Sequence, residues 1–201
     1  MTEAAKSDGR REEVRTLPLN LLLKDRLCLL LGAGHVAHRK CLNLLDHGAR
    51  VVLVAPDADP RIESLAESGR VEVRSGVYAP ELLDELSPFL VYAATDDDET
   101  NRRVAADSAE RGILCSSVSS WREGDFISPS VIPWGRGQVS VTTEGASCRQ
   151  AKFMRLRLSG LLGGERELLV LGVDLRSLSL EELERVRPSA ERVEMLTEML
   201  G

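Results

Sequence analysis

Aromatic side chains are scarce: three Phe, two Tyr and two Trp make up 3% of the 201 residues. Any core must therefore be filled by Leu, Val, Ala and Ile, which the 43% hydrophobic content allows. Cysteine is sparse and dispersed. Cys28, Cys41, Cys115 and Cys148 form no C-x-x-C pair and have no His partners at metal-ligand spacing. Reduced thiols are expected rather than a disulfide framework or a zinc site, and no metal ligand is assigned. No apolar run is long enough to cross a bilayer, and charges stand where the apolar part of a secretory leader would be. An excess of positive charge is missing too. The net charge of −6 and the pI near 5.2 argue against nucleic acid as the main partner. A cytoplasmic protein with no membrane partner is expected.

What is present is organised around Leu27 to Lys40. The aliphatic run Leu27 to Leu31 is long enough for a buried parallel strand. It passes into Gly32-Ala33-Gly34 and then into helical spacing at Val36, Cys41, Leu44 and Leu45. Gly32 would permit a tight turn, Gly34 would let a diphosphate approach the backbone, and Ala37 would let the helix lie close on the strand. N–H groups at the start of that helix, including those of His35 and Val36, would bind phosphate at the positive end of the helix dipole. The same pattern also suits a glycine turn that holds no ligand.

Strand and helix signals then alternate. Strands are predicted at Val51–Val54, Val71–Arg74, Phe89–Ala94 and Ile113–Cys115, and helices at Arg61–Glu67, Pro80–Leu86 and Glu99–Arg111. The fold class is α/β with a doubly wound parallel sheet, and Leu21–Leu23 are expected to add a short apolar segment at its edge. Pro56 and Asp57 follow the second strand, where an acid commonly hydrogen-bonds an adenosine ribose; Asp57 and Asp59 also suit a turn and helix cap. Thr95 and Asp96 end the fourth strand and should face the same crevice as the glycines. Asp97 and Asp98 are explained by capping alone. Beyond Ser116 the alternation stops, and Phe126–Ile132 and Gln138–Thr143 suggest an antiparallel pair. Arg149–Leu162 reads as a helix with Arg149, Lys152, Arg155 and Arg157, either a solvated amphipathic face or a receiver of a polyanion. Ser179 to Glu182 resembles a capping box, and a last helix is predicted over Ser189–Leu200.

Gly32-Ala33-Gly34-His35-Val36-Ala37-His38-Arg39-Lys40, Val54-Ala55-Pro56, Ala93-Ala94-Thr95-Asp96-Asp97, Asn101 and Phe126-Ile127-Ser128-Pro129-Ser130, in this order and spacing, resemble the precorrin-2 dehydrogenases. That family includes the N-terminal part of bacterial siroheme synthase. The resemblance covers about Leu17 to Leu162. It implies NAD-dependent oxidation of precorrin-2 to sirohydrochlorin by a homodimer, with metal insertion following in some members. The implied division is a Rossmann-like NAD domain over 17–115, a β dimerisation region over 116–147 and a helical region over 148–201; residues 1–16, of mixed charge with almost no large apolar side chains, are expected to be a mobile tail. Gly32, Gly34, His35, Val36, Pro56, Asp57, Thr95 and Asp96 are the implied coenzyme residues. Ser116, Ser128, Ser130, Arg149 and Lys152 are candidates for the carboxylate-rich tetrapyrrole substrate.

The chain departs from the family in its substrate half. The family pattern Asn-x-x-Asp after the fifth strand is Ser116 and Ser119 here, and a common Met is Ser128. Ser119 takes the catalytic position of the family Asp, but a neutral hydroxyl is no general base. Hydride transfer depends chiefly on positioning and survives that loss. Strong chelatase activity is not expected. The alternatives are a non-catalytic module that binds NAD or a tetrapyrrole, and a bifunctional dehydrogenase and chelatase in which Asp125 or another acid takes over.

Overall fold

The computed structural model describes residues 15–134 and 137–161. The expected tail over residues 1–14 and the helices expected beyond residue 162 lie outside the described residues. Two compact units are present, Met1–Ser128 and Pro129–Gly201.

The first unit carries a five-stranded parallel sheet in the order β3-β2-β1-β4-β5. Its strands are β1 (Leu27–Leu31), β2 (Arg50–Ala55), β3 (Glu72–Ser75), β4 (Leu90–Ala93) and β5 (Leu114–Ser117). The helices between them are α1 (His35–Asp46), α2 (Pro60–Glu67), α3 (Glu81–Leu86) and α4 (Asp98–Glu110). β1 lies at the centre because it is apolar on both faces, as a strand covered by helices on either side must be. Cys28 and Leu30 pack with Ala37, Cys41 and Leu44 of α1 and with Ile62 and Leu65 of α2. Leu29 and Leu31 point the other way, to Leu83 of α3 and Val104 and Ala105 of α4. Truncating a fully buried member such as Leu30 to Ala would cost about 2–5 kcal/mol. The chain order reverses between β1, paired at Leu31↔Ala93, and β4. This is the topological switch point, where open α/β sheets bind ligands beyond their carboxyl ends.

Three details differ from the sequence expectation, one being that the strand expected from Phe126 starts only at Ser130. Leu21–Leu23 form no strand, and Leu22 is 87% exposed; only Leu23 packs against the core. β5 runs through Ser117 because Ser116 and Ser117 continue the pairing with Tyr92 and Ala93. Its outer edge at Cys115 is also occupied: Asp125 N–H donates to the Cys115 carbonyl at 2.7 Å, and the Asp125 carboxylate accepts from Cys115 N–H at 2.9 Å. One residue thereby imitates a neighbouring strand. Gly124 permits the approach, since a Cβ there would stand 2.7 Å from the Cys115 carbonyl oxygen.

In the second unit β6 (Ser130–Trp134) and β7 (Gly137–Val141) pair antiparallel, with Ile132 opposite Val139. α5 (Cys148–Leu161) packs on both strands, and Ile132, Val141, Ala151 and Leu156 are buried. An isolated two-stranded ribbon is marginal in water, and the helix supplies the cover it needs. Ser147 starts the helix, its hydroxyl accepting from Gln150 N–H at 3.2 Å.

Candidate functional site

The glycine turn after β1 is fixed from both sides. Gly32 N–H donates to the Val54 carbonyl at 2.9 Å, and the Ala33 carbonyl accepts from Asp59 N–H at 2.9 Å. Gly32 has φ +98°, and a Cβ there would lie 2.3 Å from the Ala94 carbonyl oxygen. Both its backbone conformation and the close passage of the loop after β4 require a residue without a side chain. Gly34 differs. It is the N-cap of α1 with φ −88°, no side chain caps the helix, and a Cβ would meet nothing within 4 Å. Open space therefore lies over the first-turn N–H groups of α1, including those of His35 and Val36. Such groups have no intrahelical acceptor, and with the helix dipole they attract an anion. A pyrophosphate fits this cradle.

Pro56 and Asp57 are exposed at the end of β2. Asp59 is a cap: its Oδ1 accepts from Arg61 N–H at 3.0 Å. The same carboxylate takes both edges of the Arg61 guanidinium, Nε at 2.9 Å and Nη2 at 2.7 Å. These bonds hold the Asp59 carboxyl well below the usual carboxylate range. Arg61 Nη2 also lies 3.4 Å from His35 Nδ1, so the ring that follows the glycine turn faces the first turn of α2. The sequence singled out Asp57 and Asp59 without separating their roles; the structure assigns the cap to Asp59.

Beyond β4, Asp97 caps α4, accepting from Glu99 N–H at 3.2 Å and Thr100 N–H at 3.0 Å. Thr95 is held by Asn101, a fully buried polar side chain of α4 that also donates to Ser119 Oγ at 2.7 Å. Asn101 was quoted in the sequence only as part of a motif. The signal was its position on the same helix face as Val104, Ala105 and Ser108, all buried, where a polar residue needs partners.

Ser116 is buried in β5, whereas Ser119 is exposed just after it. Ser128 reaches back to β4, its hydroxyl 2.9 Å from the Tyr92 hydroxyl. Tyr92 also meets Phe126 edge-on at 5.4 Å and has the Lys40 ammonium 4.8 Å above its ring. Burial pushes the Tyr92 hydroxyl up from its ordinary range. The Asp125 carboxylate is held at the β5 edge, its Oδ2 accepting from Cys115 N–H. The first unit thus gathers Gly32, Gly34, His35, Val36, Pro56, Asp57, Thr95, Asp96 and Ser119 at the carboxyl edge of one sheet. Ser130, Arg149 and Lys152 belong to the second unit, Ser130 on β6 and the two basic residues on α5.

A doubly wound parallel sheet with an open glycine turn at its switch point defines a dinucleotide-binding domain. Residues 19–130 match the family described as "Putative NAD(P)-binding", and the chain belongs to that family. Siroheme synthase from Chromobacterium violaceum is 43% identical over 145 residues, covering 72% of this chain and 30% of that protein. Siroheme synthase 2 from Klebsiella pneumoniae is 38% identical over 146 residues, covering 73% of this chain and 32% of its own length. The chain thus spans about a third of the length of the curated relatives it matches. Among solved structures, "SirC, precorrin-2 dehydrogenase" superposes with a TM-score of 0.64 at 25% identity, covering 92% of this chain and 90% of that one.

Proposed function

We propose that this protein is an NAD-dependent dehydrogenase that oxidises precorrin-2 to sirohydrochlorin. The observation that carries the reading is the likeness to SirC along nearly the whole of both chains; the siroheme synthase relatives and the cradle at Gly34 support it. The oxidation removes two hydrogens from the substrate. NAD, when bound, accepts one as hydride, and the other leaves as a proton.

Gly32 and Gly34 would leave room for the coenzyme diphosphate, and the N–H groups of His35 and Val36 would hold it. Pro56 and Asp57 would meet the adenosine ribose, and Thr95 and Asp96 would contribute from the end of β4. NAD is favoured over its 2′-phosphorylated form by charge. The exposed carboxylate of Asp57 repels an added phosphate, and Arg61, the cation beside the turn, is already held by Asp59. Candidates for the carboxylates of the tetrapyrrole are Ser116 and Ser128 in the first unit and, taken separately, Ser130, Arg149 and Lys152 in the second. The protein works as a cytoplasmic homodimer joined through the β6–β7 region. Metal insertion is not part of the proposal: stripping pyrrole protons calls for a base, and Ser119, at the position of the family acid, is a neutral hydroxyl.

The test is anaerobic incubation of the pure protein with NAD and precorrin-2. NADH and sirohydrochlorin should accumulate in equal amounts. No turnover in an assay where a known precorrin-2 dehydrogenase works would overturn the proposal, and sirohydrochlorin binding without turnover would leave a carrier instead.

A further inference from the structure

The side chain of Asn101 is fully buried, and its amide is used on both ends. Oδ1 accepts from Thr95 N–H at 3.0 Å and lies 2.8 Å from the Thr95 hydroxyl. Nδ2 donates to the Thr95 carbonyl at 3.0 Å and to Ser119 Oγ at 2.7 Å. The two backbone contacts decide which end of the amide is which. Turned over, it would set NH2 against the Thr95 N–H and oxygen against the Thr95 carbonyl, losing both bonds and adding two repulsions. Nδ2 has no lone pair to offer, so Ser119 Oγ must accept from it. A serine hydroxyl has one proton, and here it is turned away from Asn101. Among the described residues no acceptor for that proton is found, and Ser119 is exposed at the carboxyl edge of the sheet, just beyond β5.

We infer that Ser119 is a hydrogen-bond donor to a ligand oxygen, and that Asn101 is the positioning residue that aims it. The inference rests on the proposed dehydrogenase reading, which brings ligands to this edge. The acceptor is an amide or carboxylate oxygen, from either the carboxamide of the coenzyme or a carboxylate of the tetrapyrrole. An aliphatic hydroxyl stays protonated through the neutral range, so Ser119 orients its ligand and exchanges no proton with it. The position that resembles an acid site is thus converted to one that can only donate toward the ligand.

The experiment titrates NAD and sirohydrochlorin separately into the full chain and into Ser119→Ala, with the melting temperature followed alongside because the change also takes an acceptor from the buried Asn101 amide. Ser119→Ala should weaken one of the two ligands about tenfold. Loss confined to NAD identifies the carboxamide as acceptor, and loss confined to sirohydrochlorin identifies a carboxylate. Ser119→Thr, which keeps the hydroxyl, should restore the affinity, and the pH profile of turnover should be the same in Ser119→Ala as in the parent. In Asn101→Asp the hydroxyl turns inward to the new carboxylate, so adding Ser119→Ala should weaken binding no further. If that variant fails to fold, the Ser119→Ala and Ser119→Thr pair decides alone. Unchanged affinity for both ligands in Ser119→Ala, while the parent binds them, would overturn the inference and leave the dehydrogenase reading standing. Disappearance of an ionisation from the pH profile would overturn it as well. Failure of the parent to bind either ligand would overturn both.

Discussion

At Gly34 the backbone is ordinary and the space above it is empty, whereas at Gly32 the backbone is left-handed and the space is filled by Ala94. Substitution should separate the two roles. Gly34→Asp places a carboxylate where the diphosphate would lie and should lower NAD affinity more than a hundredfold. Aspartate caps a helix slightly better than glycine, so the melting temperature should hold or rise. Gly32→Ala should destabilise by about 2–5 kcal/mol in urea unfolding, since both a positive φ and an overpacked contact oppose it. Calorimetric titration and denaturation check the pair, and equal loss of stability in both would contradict the assignment. Both glycines were legible in the sequence as a turn, a strand before it and a helix after it. The reason Gly32 tolerates no Cβ was not, because Ala94 lies in the loop after β4, distant in sequence. Asp59 and Asp57 show the same limit: Asp is favoured both as a cap and as a ribose acceptor, and only the Arg61 contacts identify the cap.

The elements around the crevice were read well from periodicity, and their ends shifted where long-range pairing intervened. β5 outran its apolar residues because Ser116 and Ser117 pair with β4, a preference that resides in the partner strand. Asp125 could not be placed by sequence because its bond to Cys115 closes a turn rather than a repeating pattern. α4 offers a clean test of capping against ligand binding. The Thr100 and Glu99 contacts hold the Asp97 carboxyl below its ordinary range. A depressed folded-state value stabilises above the unfolded carboxylate pKa of about 4 and stops doing so as the pH falls below it. Asp97→Ala should therefore lower the melting temperature at neutral pH, and the difference from the parent should vanish in acid. NAD affinity should not change. A large loss of NAD binding would make Asp97 part of the site.

For the molecule as a whole, the scarcity of aromatics is met by a core of aliphatic side chains and three buried thiols. Burial pushes Cys28, Cys41 and Cys115 up to about 11. Unfolded thiols ionise at about 8.5, so the thiols' contribution to stability should be constant below that pH and fall as pH rises from there towards 11. Urea unfolding across this range checks the sign. A thiol reagent at neutral pH should modify exposed Cys148 rapidly and the three others only on unfolding. The parallel sheet, its switch point and the family resemblance were all legible in the sequence. Contacts such as Tyr92 with Ser128 and Asn101 with Ser119 were not, since nothing local to either partner specifies the other. The most direct measurement is the yield of NADH per sirohydrochlorin formed when precorrin-2 is supplied without oxygen. The account predicts one for one with the parent chain and none with Gly34→Asp. Sirohydrochlorin formed by the Gly34→Asp variant at the parental rate would contradict it.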